Sequence, residues 1–110
     1  MFTIGDAVTV TTDDETHPAL VVADQADETT VEVEITDGAR AGEPLSVPTT
    51  AVTSGVAVIY TPRYGDPVPA RKIKEHRNHD GRFNGIARID ITSGRNKRRV
   101  DCGVINLSQP

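Results

Sequence analysis

The chain has 110 residues, of which 36% are apolar and 25% charged, and a formal net charge of −4; this suits one soluble domain, or a small barrel with an appendage, built on a modest core. No apolar run approaches the roughly 18 residues of a membrane span, and no basic-then-apolar leader opens the chain, so the expected location is the cytoplasm or a particle assembled there. Cys102 is the single cysteine, which excludes an intrachain disulfide and a clustered-thiol zinc site, and two Tyr, two Phe and no Trp argue against aromatic platforms for proline-rich peptides or single strands.

The first half of the chain reads as short strands. Val8 and Val10 alternate with Thr9 and Thr11, the period-2 pattern of a half-buried strand. Asp13, Asp14 and Glu15 then predict a solvated loop running to Pro18. Ala19 to Ala23 is a continuous apolar run suited to a core strand, and Asp24 to Glu28 is a polar turn. Val31, Val33 and Ile35 face one way while Glu32 and Glu34 face the other. Asp37-Gly38 marks a turn, and a loop through Gly42 leads to a fourth strand at Leu45 and Val47. After Pro48 the segment TTAV predicts a single helical turn, followed by a fifth strand at Val56 to Tyr60.

The second half differs in texture. Thr61 to Pro69 holds Pro62, Pro67 and Pro69, which predicts a stiff extended link. Residues 70–79 fit either a short helix or an edge strand. Ile73 is their only strong apolar anchor, so a helix would be marginal and a strand is favoured. Asp80-Gly81 and Asn84-Gly85 are turn-forming dipeptides. Ile86 to Thr92 alternates, Ser93 to Asn96 reads as a connection, and a return strand places Val100, Cys102 and Val104 on one face. A hairpin over these residues is expected.

Residues 4–60 resemble an SH3-like small barrel of the kind found in KOW and Tudor-type modules. The resemblance rests on Gly5-Asp6-x-Val8-x-Val10 opening the first strand and on Val47-Pro48-x-x-x-Val52 ahead of the last. It implies an acidic SH3-like barrel in residues 1–60; with the reading of the second half, the chain is expected to be all-β, with a proline-rich link and a basic β-hairpin in residues 61–110 packed on the barrel as one unit or projecting from it. There is no Tudor-like aromatic cage and no KOW-type glycine between the first two strands, which argues against methyl-lysine recognition and against ribosomal-type RNA binding. A small barrel does not specify a function.

Charge is divided between the halves. Residues 1–60 carry eleven Asp/Glu against Arg40 alone, a net of −10, and residues 61–110 carry eleven Lys/Arg against five Asp/Glu, a net of +6. Arg95, Lys97, Arg98 and Arg99 cluster at the expected hairpin tip, with Arg71, Lys72, Lys74, Arg77 and Arg82 nearby. Arg forks suit paired phosphate or carboxylate contacts, so these nine residues form the candidate nucleic-acid or partner-binding set. The plainer reading has the hairpin arginines pairing with Asp90 and Asp101 in solvent.

Three further constellations are weaker pointers. His76-x-x-His79 has metal-ligand spacing but lacks a second cluster and is flanked by Lys74 and Arg77, which repel a cation. The same histidines could serve as the acid and base of a small ribonuclease. Cys102 sits between Val100 and Val104, where a thiol packs as a small hydrophobe. The acidic loops lack a calcium-binding register, and no P-loop or G-x-S-x-G motif is present. The expected function is therefore non-enzymatic binding of a polyanion, either a nucleic-acid backbone or an acidic protein surface, with no cofactor, metal or membrane. The alternative is a structural component of a homo-oligomer or virion-type assembly, with the acidic half of one copy meeting the basic half of the next.

Overall fold

A computed structural model describes residues 1–78, 80, 82–91 and 98–110. The chain is all-β, with a curled five-stranded sheet and a second sheet. It divides into two units, Met1–Val56 and Ala57–Pro110.

The first unit is built from β1 (Ala7–Thr12), β2 (Glu15–Val21), β3 (Thr30–Ile35), β4 (Pro44–Pro48) and β5 (Val52–Ser54), with a 3-10 turn at Thr49–Ala51. The sheet order is β4-β3-β2-β1-β5. Its two edge strands, β4 and β5, are joined only by the three-residue 3-10 turn, so the sheet must curl to bring its ends together. Thr49 fixes this corner, since its N–H donates to the Thr29 carbonyl at 2.9 Å and its hydroxyl to the Glu28 carbonyl at 2.8 Å. The strand alternation sends Val8, Val10, Ala19, Val21, Val31, Val33 and Val47 inward as one cluster, with Phe2, Leu45 and Val52 packed against it. Each fully buried valine contributes on the order of 1.5–3 kcal/mol.

Two expectations for this unit change. The loop expected from Asp13 to Pro18 is confined to Asp13 and Asp14, both at positive φ (49° and 64°), as a two-residue hairpin turn. Glu15, Thr16, His17 and Pro18 already pair with β1. Pro18 is tolerated because the β3 ladder begins only at Ala19. The fifth strand of the curled sheet is Val52–Ser54, paired with Val8–Val10, and not Val56–Tyr60. Val-Thr-Ser carries too little apolar signal to be read as a strand, and pairing with β1 is what makes it one. Gly55, at φ +90°, then turns the chain out of the sheet.

The second unit holds β6 (Val56–Tyr60), β7 (Val68–Arg77), β8 (Phe83–Ile91), β9 (Arg98–Gly103) and β10 (Leu107–Ser108), with a 3-10 turn at Val104–Asn106. The order is β10-β6-β7-β8-β9. Residues 70–77 are strand, as favoured, but the strand already begins at Val68, so Val68 and Pro69 of the expected link belong to it. The expected connection over residues 93–96 and Gly81 of the expected Asp80-Gly81 turn lie outside the described residues. Val104 leaves the return strand for the 3-10 turn. Asn84-Gly85 lies inside β8 rather than in a turn, with Gly85 at φ +80° and the Asn84 Oδ1 accepting the Ile86 N–H at 3.0 Å. The β7–β8 register shifts there, between Glu75 and Arg77, which marks an irregularity in the ladder. Val58, Ala70, Ala87, Ile89, Ile91 and Cys102 are buried.

Candidate functional site

The basic residues of the second unit are sorted by strand register. Along β8, Ala87, Ile89 and Ile91 are buried while Arg88 and Asp90 lie on the opposite, outer face. On β9, Arg99 stands opposite Asp90 and Asp101 opposite Arg88. On β7, Arg71 also stands opposite Asp90. Strict alternation would send Lys74 to the same side as Lys72, away from Arg71. A bulge at Ile73 prevents this: Lys72 pairs with Ile89, the next pair is Lys74 with Arg88, and β7 has gained one residue. One extra residue exchanges the faces of everything that follows. Lys74 and His76 thereby join Arg71, Arg88 and Arg99 on the outer face.

The same bulge has a consequence on the inner face. It brings Glu75 to the side of Lys72, and the two form an ion pair at 2.9 Å with side chains only 12% and 13% exposed. Lys72 thus belongs to an internal pair beside Ile89, and its ammonium is already satisfied.

On the outer face two carboxylates interrupt the cations. Asp90 accepts two hydrogen bonds from the Arg99 fork, Nε at 2.7 Å and Nη2 at 3.1 Å. That bond, with a smaller Coulomb contribution from Arg99 and Arg71, holds the Asp90 carboxyl below its ordinary range. Asp101 Oδ1 meets His76 Nε2 at 3.2 Å and Arg88 Nε at 3.3 Å. The hydrogen bonds from His76 and then Arg88 depress its pKa as well. The pairing of hairpin arginines with Asp90 and Asp101 is therefore present, with Arg88 in place on Asp101. Among the described residues, Arg71, Lys74 and Arg98 have no carboxylate within ion-pair distance. Four cations and two carboxylates leave the outer face of β7, β8 and β9 with an excess of positive charge.

Arg77 lies over the Phe83 ring, 5.8 Å from its centroid. Arg82 is exposed, its Nε 3.8 Å from Asp80. Arg98 is exposed opposite Ile91, so alternation along β9 puts it on the side of Val100 and Cys102 and not on the outer face. Arg95, Lys97 and His79 lie outside the described residues. His76 is engaged with Asp101. Cys102 is buried, and burial, then the neighbouring Asp101 charge, push its thiol pKa up, the reverse of what a nucleophile needs. Among the described residues no group of three metal-ligating side chains converges.

His76, Arg88, Asp90 and Asp101 are members of the face that lie outside the nine-residue candidate set. The alternation of Arg88 with Asp90 and of Arg99 with Asp101 was a usable signal, since two paired alternating strands must align these charges. The bulge at Ile73 left no such signal. Comparison of the chain with protein-family models, curated proteins and solved structures finds no match.

Proposed function

We propose that the protein is a non-enzymatic binding module whose β7–β8–β9 face contacts the phosphate backbone of a nucleic acid. The observation that carries the reading is the row of Arg71, Lys74, Arg88 and Arg99 on one strand face, held in place by sheet register. Arg71 and Lys74, neither within ion-pair distance of a carboxylate among the described residues, supply the main contacts on this face, while Arg98, opposite Ile91 and so turned off the face, adds charge at the sheet edge. Arg82, Arg77, Arg95 and Lys97 extend the set. Arg88 and Arg99 are pre-aligned by Asp101 and Asp90, which rigidifies the forks and lowers their net charge. The scarcity of exposed rings favours backbone contact over base stacking, hence little sequence preference. The first unit serves as scaffold. Its meander order, with a 3-10 turn leading into a closing strand beside β1, supports an SH3-like barrel.

Binding of a labelled duplex by the full chain tests the reading. Replacing Arg71 and Lys74 with Ala should weaken binding about tenfold at low salt, equally for unrelated sequences. Unchanged affinity would overturn it. Binding to an acidic protein but not to the duplex would shift the reading to an acidic protein surface. Open-ended, salt-sensitive particles formed without nucleic acid would support assembly between acidic and basic halves.

A further inference from the structure

The exposed edges of the two sheets differ sharply. β4 begins and ends with proline, Pro44 and Pro48, and β5 and β10 are three and two residues long. Short strands and prolines are how folded chains prevent edge-to-edge pairing. β9 has neither device. It is six residues long, contains no proline and runs beside β8 in unbroken register from Gly103 to Arg98. Among the described residues nothing pairs with its outer side.

Charge on an edge strand usually serves as protection, but the β9 sequence Arg98-Arg99-Val100-Asp101-Cys102 is complementary to itself. Two copies laid antiparallel about Val100 place Arg99 opposite Asp101 of the partner, and Asp101 opposite the partner's Arg99. We infer that β9 is a homodimerisation edge, pairing with β9 of a second copy in this register to make one continuous sheet across a two-fold axis. This proposal does not rest on the polyanion reading.

The side-chain geometry fits the seam. Arg99 uses two of its five N–H donors on Asp90 and retains others for the partner. Asp101 uses Oδ1 for His76 and Arg88, and among the described residues Oδ2 accepts no hydrogen bond. The outer face then reads Arg71, Asp90, Arg99, followed across the seam by Asp101, Arg88 and Lys74 of the second copy. Signs alternate through the seam, twice over by symmetry, whereas like charges directly opposite would oppose pairing. On the inner face the half-buried Val100 meets its own copy. A two-fold contact of this kind closes at two and cannot grow into a filament.

Sedimentation equilibrium of the full chain and a register-specific crosslink test the proposal together. The chain should show a monomer–dimer equilibrium that stops at two. Arg99→Gln, folded by circular dichroism, should shift it about three- to tenfold toward monomer. In a Cys102→Ser background, Val100→Cys should oxidise to a covalent dimer, because facing residues in an antiparallel pair lie about 4.5–5.5 Å apart, within disulfide reach. Ser108→Cys, on the opposite edge, should not. A monomer at every concentration, or crosslinking at position 100 no faster than at 108, would overturn the proposal. If the chain dimerises while failing to bind duplex, the edge proposal stands and the polyanion reading falls.

Discussion

Lys72 and Glu75 show how a single residue's fate depends on register. Both are charged, yet their side chains are almost nine-tenths covered and bonded to each other at 2.9 Å. Removing one partner of such a pair leaves the other charge poorly solvated, whereas replacing both with apolar groups of similar size is nearly neutral. Glu75→Gln should therefore lower stability by about 1–2 kcal/mol in urea unfolding. Combining Lys72→Met with Glu75→Leu should recover most of it. A double variant as unstable as the single would mean that the pair contributes through geometry that apolar packing cannot replace. Cys102 gives a second residue-level expectation. With its pKa raised by burial, the thiol should resist iodoacetamide at pH 8 in the native protein and react once the chain is unfolded. Fast native alkylation would contradict the packed position assigned to it.

At the scale of elements, the antiparallel pairing of β8 with β9 is held partly by carboxylates. Asp90 and Asp101 both have lowered pKa values in the folded chain. Their contribution is complete above the unfolded value of about 3.9 and disappears as pH falls through the lower folded values. Acid should therefore weaken this pairing below about pH 4, with Asp90→Asn and Asp101→Asn flattening that dependence. An unchanged acid limb would remove these pairs from the account. The β1–β2 turn is an element with strain left in it. Asp13 and Asp14 both occupy the left-handed region, so replacement by Asn-Gly should raise stability by roughly 0.5–1 kcal/mol. A loss of stability would show that the aspartates hold the turn by interactions that Asn-Gly lacks.

These elements also show what the sequence made legible. Alternating Val and Thr marks β1, alternating Val and Glu marks β3, and alternating Ile or Val with Arg and Asp marks β8 and β9, because a strand with one buried face must alternate. Pro48 followed by TTAV located the 3-10 turn. Val52–Ser54 escaped notice because its strand character comes from its partner, Val8–Val10, and not from its own composition. The outer basic face was only half visible. Charge marks Arg71, Lys72, Lys74 and Arg99 alike as candidates, but the bulge at Ile73 is a property of pairing, and it alone decides that Lys74 faces out and Lys72 in.

At the scale of the molecule, the boundary between units falls close to the boundary between charges. Every acidic residue of the −10 half lies in Met1–Val56, and the basic residues other than Arg40 lie in Ala57–Pro110. The first unit turns its carboxylates outward, as Glu32 and Glu34 do on β3. The second gathers cations on a strand face. Division of labour follows physically: one unit repels phosphate and the other attracts it.

The salt dependence of duplex binding tests this most directly. Each phosphate neutralised releases counterions, so the logarithm of the binding constant should fall linearly with the logarithm of salt concentration, at a slope of about −0.9 per contact. The account predicts that Ala at Arg71 and Lys74 makes the slope shallower by about one per residue, while the paired replacement Lys72→Met with Glu75→Leu leaves it unchanged. A slope indifferent to Arg71 and Lys74, or reduced as much by the paired replacement at Lys72 and Glu75, would contradict the assignment of the outer face as the binding surface.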